Sequence, residues 1–368
     1  MSPDVIIVGA GIIGAACAHA LAQAGQQVLV LDARLGGATG AGMGHLVVMD
    51  DNPAELALSQ YSVAQWRALA PSLSPDCAFS GCGTLWIAAN AEEMAAAEDK
   101  QRRLQDQGIA CELLGAAALA QAEPALRSGL AGALKVPGDG IVYAPNTARW
   151  LLAQSGNRIQ VEPAQVTALH TGSVHLADGS RRQAPQILLA NGIQATTLCP
   201  ELPIRPKKGH LLITDRYPGS VNHQLVELGY VTSAHHSVGP SVAFNLQPRP
   251  TGQLLLGSSR QFDTTDPAVE PEMLQAMLQR ALDYIPGLAG LNAIRSWTGM
   301  RAATPDSLPI LGAHPTRAGL WLAVGHEGLG VTTALGTADL LAALMLGHTP
   351  PLDAAAYGLQ RFAEAACH

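Results

Sequence analysis

Gly9-Ala10-Gly11-Ile12-Ile13-Gly14 carries the spacing G-x-G-x-x-G, and Asp32 stands at the end of the apolar stretch that follows. Each residue type has a job in holding a diphosphate. Gly9 permits a tight turn, Gly11 lets backbone approach the pyrophosphate, and Gly14 lets a helix pack closely on a strand. Ile12 and Ile13 open that helix, whose free N–H groups and partial positive charge suit phosphate oxygens. Asp32, with Ala33 beside it, is placed to accept hydrogen bonds from a ribose hydroxyl.

The spacing alone does not separate a nicotinamide from a flavin dinucleotide. Arg34 to Gly44 adds five glycines in eleven residues, among them Gly40 and Gly44 around Thr39 and Met43, and His45 follows. Glycine-dense backbone passes close to a large flat ring, so the pattern favours FAD. A second turn, Gly325-His326-Glu327-Gly328-Leu329-Gly330, precedes the apolar run that opens with Val331 and Thr332. It aims another helix N-terminus at an anionic group, such as a flavin that has gained charge. His223-Gln224-Leu225-Val226-Glu227 and His235-His236 invite a metal, but no third and fourth ligands follow at a convincing spacing, so none is expected. G-x-S-x-G and a Cys/His dyad are both missing, which leaves nucleophilic hydrolysis without support.

The elements around these residues follow from their patterns. Val5–Val8 reads as a buried strand, 12–24 as a helix ended by Gly25, and 27–31 as a second strand, together a βαβ unit. A looser region spans 51–138, with helices over 53–69 and 91–107. Strands are predicted over 159–161, 165–169, 173–176 and 186–190, with an Asp178-Gly179 hairpin turn among them. Further strands are predicted over 210–214, 241–246, 253–257 and 320–324, with helices over 271–284 and from 331. Two domains interleaved in sequence fit this order.

The 368 residues are 48% hydrophobic and 14% charged with a net charge of −7, an ordinary globular composition. The acidic balance and the isolated pairs Arg102-Arg103 and Arg181-Arg182 argue against nucleic acid as a partner. Six cysteines are scattered without C-x-x-C spacing, so the chain carries no cluster of its own and reads as cytoplasmic. The apolar run 331–346 is broken by Thr332, Thr333, Thr337 and Asp339, too short for a membrane span, and a soluble protein is expected.

The stretch Asp4–Asp32, the turn Gly138-Asp139-Gly140, and Leu189-Ala190-Asn191-Gly192 together resemble the D-amino acid oxidase superfamily. So do Trp297-Thr298-Gly299-Met300-Arg301 and Thr304-Pro305-Asp306-Ser307-Leu308-Pro309-Ile310-Leu311-Gly312. Gly325–Thr333 and Asn245–Gln253 are similar to the small flavin subunits of bacterial D-hydroxyproline dehydrogenases and opine oxidases. The resemblance covers nearly the whole chain. It implies an α/β fold: a Rossmann-type FAD-binding domain from 1–80, 140–200 and 300–368, interleaved with a mixed-sheet (α+β) substrate domain from 81–139 and 201–299. It implies FAD contacts from the glycine turns, Val166, Ala190, Asn191 and Gly192.

The implied reaction is oxidation of a small amino or imino acid, D-hydroxyproline or an opine, by hydride transfer from the carbon beside nitrogen to flavin N5. Companion subunits carrying further flavin and an iron–sulfur centre would take the electrons. Arg301 would hold the substrate carboxylate through two parallel hydrogen bonds. His45 would contact flavin or substrate, or accept the amine proton. Tyr230 would cap the pocket; His210 and Glu327 are weaker candidates. Glycine oxidase carries a substrate-holding arginine in its C-terminal turn, where this chain has Leu329 and its neighbours. The rivals are a stand-alone oxygen-using oxidase of glycine, sarcosine or a D-amino acid, a non-catalytic flavin relay subunit, and a nicotinamide dehydrogenase.

Overall fold

A computed structural model describes residues 2–229, 240–262 and 264–362. Tyr230, His235 and His236, weighed above, lie outside the described residues, as does Cys367, one of the six cysteines.

Val5–Val8 is a run of four apolar residues, every one buried. A strand covered on both faces has that composition, and it lies at the centre of a six-stranded sheet. The order is Ile310–Ala313, Leu320–Val324, Gln186–Leu189, Val5–Val8, Val28–Asp32, Ile159–Pro163. The last five run parallel, and Ile310–Ala313 is antiparallel at the edge. Helices Ile12–Gln23, Pro53–Leu69 and Gly330–Met345 share a hydrophobic core on one face. The other face is covered by an antiparallel ribbon of Val166–His170, Ser173–Leu176 and Arg181–Gln183, with Gly179 at φ 84° in the expected hairpin turn. The Rossmann-like arrangement is therefore present.

A second sheet has eight strands. Their order is Ala293–Ala303, Arg205–Arg216, Gln253–Phe262, Ser241–Pro248, Gln224–Glu227, Thr84–Ala88, Gly132–Val136, Glu112–Gly115. Every neighbouring pair is antiparallel except Gln224–Glu227 with Thr84–Ala88. Helix Pro271–Tyr284 buries Met277, Ala281 and Tyr284 against it. A short ladder of His45–Leu46 with Gly140–Ile141 joins the segments between the two sheets.

One expectation is corrected here. The stretch 51–138 is not loose: it contributes three strands to the eight-stranded sheet. Thr84–Ala88 is buried at all five positions, so it lacks the alternation that marks a half-exposed strand. The helix Pro53–Leu69 has the predicted bounds. Asn52 Oδ1 accepts the Glu55 N–H at 2.9 Å and Pro53 occupies the first helical turn, a strong start signal.

Candidate active site

The first glycine turn is packed too tightly for side chains. Gly9 sits at φ 108°, and a Cβ there would stand 2.6 Å from the Ala190 carbonyl oxygen; one on Gly14 would stand 1.9 Å from the Gly9 oxygen. Thr39 Oγ accepts the Ile12 N–H at 2.9 Å. Asp32 accepts the Ala10 N–H at 2.7 Å on one oxygen and the Arg34 N–H at 2.7 Å on the other, so it pins the turn to the end of its strand.

A continuous cavity of about 700 Å³ runs from this turn to the face of the eight-stranded sheet. Gly9, Gly11, Ile12, Ile13, Asp32, Ala33, Thr39, Gly40, Met43, Gly44 and His45 line it, as do Val166, Ala190, Asn191 and Gly192. Arg301, Gly325, His326, Glu327, Gly328, Gly330 and Val331 close its other end. Three expected contacts do not reach the wall. Gly14 lies behind the turn it packs on. The Leu329 carbonyl accepts the Thr333 N–H at 2.9 Å and caps the helix. Thr332 is buried, its hydroxyl donating to the His45 carbonyl at 2.9 Å and accepting the Val47 N–H at 3.3 Å.

The wall suits FAD. The N-terminus of Ile12–Gln23 and the glycine backbone offer N–H groups to a diphosphate, and the N-terminus of Gly330–Met345 lies at the other end of the cavity. Asn191 Oδ1 and Asn245 Oδ1 are buried in the lining residues without a hydrogen-bond partner among the described residues, which calls for donors from a bound group.

At the far end, Arg301 lies half-buried on strand Ala293–Ala303 and donates to the Ser259 carbonyl at 3.1 Å. Its guanidinium lies across Gly209 of the neighbouring strand, where a Cβ would come within 2.7 Å of both terminal nitrogens. Lys207, directly opposite Arg301 in the ladder, is ion-paired to Glu327. Burial works to raise the Glu327 carboxyl, but the charge and hydrogen bond of Lys207, with Arg301 and Arg260, outweigh it and hold it below the usual range. Burial lowers the Lys207 ammonium despite Glu327, and Arg260 and Arg301 add to the lowering.

His45 Nδ1 lies 2.7 Å from Gln224 Oε1 and 2.8 Å from Gln247 Nε2. Burial, with smaller contributions from Arg249 and Arg301, pushes its pKa down to about 4 against the opposing Gln224 bond, so the ring is neutral near pH 7. Gln224 is held from behind: its Nε2 donates to Thr84 Oγ at 2.6 Å, and Thr84 donates to Asp139 Oδ2 at 2.6 Å. Asp139 also accepts the Val48 N–H at 3.2 Å, and burial pushes its carboxyl up to about 7 against these bonds.

The remaining candidates separate by geometry. His210 is structural: its Nδ1 meets Ser259 Oγ at 2.8 Å and its Nε2 accepts the Glu270 N–H at 3.0 Å. His223 pairs with buried Glu123 at 2.7 Å. Glu327, a weaker candidate in the sequence, lies beside Arg301. Lys207, Gln224 and Gln247 were missed. Lys207 carries no motif, Gln224 and Gln247 lie in stretches named above without a role read for them, and strand register brings all three to the site.

A family model described as FAD dependent oxidoreductase (DAO) matches residues 4–344. Glycine oxidase of Geobacillus kaustophilus is 29% identical over 97% of each chain. The crystal structure of glycine oxidase from that organism superposes with a TM-score of 0.87 at 26% identity, covering 98% of this chain and 99% of the other. A hydrogen cyanide synthase subunit of Pseudomonas protegens is 26% identical, over 98% of this chain and 97% of that one.

Proposed function

Since this chain belongs to the family of FAD-dependent oxidoreductases that includes glycine oxidase, we propose that it oxidises a small amino or imino acid, D-hydroxyproline or an opine, as the catalytic subunit of a heteromeric dehydrogenase. The protein is an FAD-dependent enzyme acting on the C–N bond of an amino acid. In such a site FAD supplies the two-electron acceptor for the hydride leaving the substrate carbon.

The observation that carries the reading is the Arg301 guanidinium, laid flat over Gly209 at the end of the FAD cavity. Guanidinium holds a carboxylate in a fixed plane, and orientation of the α-carbon is most of what hydride transfer requires. His45, neutral, accepts a hydrogen bond from the substrate nitrogen or takes its proton for passage onward. Gln224 and Gln247 orient that ring. Gly9, Gly11, Asp32, Thr39 and Asn191 hold the dinucleotide, and Gly325–Val331 with Gly330–Met345 hold the ring end. In this reading, 1–80, 140–200 and 300–368 form the FAD-binding domain, and 81–139 and 201–299 the substrate domain.

The heteromeric reading is supported by the likeness of Gly325–Thr333 to dehydrogenase small subunits, by a relative that is itself a synthase subunit, and by scattered cysteines that form no cluster. We place the protein in the cytoplasm on that cysteine usage; no helix among the described residues is long and apolar enough to cross a membrane. The second reading, a stand-alone oxygen-using oxidase, is favoured by the glycine oxidase likeness along 97% of the chain. Anaerobic titration of the flavin with D-hydroxyproline, D-proline, an opine, glycine and sarcosine tests the substrate: bleaching by the imino acid or opine at lower concentration than by glycine is expected. Preferential bleaching by glycine overturns the substrate proposal. Admitting air to the reduced enzyme then separates the acceptors, because slow reoxidation is expected of a dehydrogenase and rapid reoxidation of an oxidase.

A further inference from the structure

Gly209, Leu211, Ser258, Gly299 and Arg301 line the cavity from three neighbouring strands of the eight-stranded sheet. Lys207 stands opposite Arg301 in the antiparallel pairing, so the two side chains leave the same face. Over this face the turn Gly325–Gly330 brings a carboxylate. The Glu327 N–H donates to the carbonyl of Ala302, the residue after Arg301, at 3.0 Å. A Cβ on Gly328 would stand 4.0 Å from Arg301 Cδ and Nε, so the turn lies directly on the arginine side chain. Glu327 itself adopts φ 46°, a left-handed conformation that side-chain-bearing residues take at a cost and that clusters at functional sites.

A carboxylate needed only to neutralise Lys207 has no reason to line the cavity, nor to occupy a strained position on the turn that touches Arg301. A carboxylate has two oxygens with about four lone-pair sites, so the ion pair with Lys207 leaves capacity for another donor. An anion and a guanidinium side by side on one wall match the two charges of an α-amino acid zwitterion. The geometry points to Glu327 as the specificity-determining residue that receives the cationic nitrogen of the substrate while Arg301 receives its carboxylate. This rests on the amino acid reading above and extends it. Lys207 keeps the carboxylate ionised and fixes its direction.

The test uses the FAD-loaded enzyme and the flavin spectrum under anaerobic conditions. One probe is D-proline. The other is pyrrole-2-carboxylate, which keeps the ring and carboxylate but has no cationic nitrogen. Glu327→Gln is expected to weaken D-proline about tenfold or more, the scale of a hydrogen bond to a charged group, and to leave pyrrole-2-carboxylate within about twofold. Equal weakening of both probes, or unchanged D-proline binding, overturns the inference. In the Lys207→Met/Glu327→Gln double variant, D-proline binding is expected to stay weak. Its recovery to the wild-type value would show that Glu327 serves Lys207 alone and would overturn the inference too. A wild-type enzyme that binds pyrrole-2-carboxylate but not D-proline refutes the nitrogen contact and spares Arg301. One that binds neither refutes the cyclic imino acid reading, and the inference with it.

Discussion

A methyl group at Gly209 would enter the space of the Arg301 guanidinium, 2.7 Å from both terminal nitrogens. That end of the arginine is flexible, so the protein should fold while the carboxylate anchor tilts. Gly209→Ala is therefore expected to raise KM for the amino acid by about tenfold with less than about 1 kcal/mol lost in stability, read by steady-state kinetics and urea unfolding. His45 gives a second prediction. In the proposed mechanism its neutral form takes the proton, so its pKa of about 4 is expected to set the acid limb of kcat/KM. Gln224→Glu sets an anion beside the ring and favours the imidazolium, so that limb should move up by roughly 1–3 units. An unmoved limb would remove His45 from the chemistry. Arg301 was named through the family resemblance of Trp297-Thr298-Gly299-Met300-Arg301 and His45 through the glycine-dense stretch it follows, and both line the cavity. No role was read for Gln224 and Gln247: they lie 179 and 202 positions from the histidine they orient, and only sheet register joins them.

The elements that hold the cofactor end depend on close backbone approach. Gly14→Ala would put a carbon 1.9 Å from the Gly9 oxygen and force the Ile12–Gln23 helix off its strand. The expected result is FAD-free protein destabilised by about 1–3 kcal/mol, checked by flavin content and thermal unfolding. The turn carrying Asp139 behaves differently. Its carboxyl, ordinarily at 3.8, reaches about 7 in the folded chain because it is buried. Between those values the unfolded chain has released a proton that the folded chain still holds, so stability declines as pH rises from about 4 to 7. Asp139→Asn should remove that decline, up to ~1.4 kcal/mol per pH unit. Parallel stability profiles for the two proteins would contradict the assignment. The sequence marked Val5–Val8, Pro53–Leu69 and Pro271–Tyr284 through strong local signals: a pure apolar run, an Asn-Pro start, an amphipathic repeat. It concealed Thr84–Ala88 and Gly132–Val136, whose burial is set by strands arriving from elsewhere in the chain.

At the scale of the molecule, two sheets built from alternating stretches of chain meet across one cavity, with the Gly9–Gly14 turn on one side and charged side chains on the other. Strand Ala293–Ala303 carries Arg301 from the edge of the second sheet towards the first, which explains how a residue remote from the glycine turn reaches the same space. The central claim is that an amino acid, held by its carboxylate on Arg301, delivers its electrons to FAD. Rapid anaerobic mixing of the FAD-loaded enzyme with the bleaching substrate tests this directly, comparing wild type with Arg301→Ala. Flavin reduction should saturate with substrate in the wild type, and in the variant half-saturation should require on the order of 100-fold more substrate, equivalent to about 3 kcal/mol. Equal saturation curves for the two proteins would contradict the account.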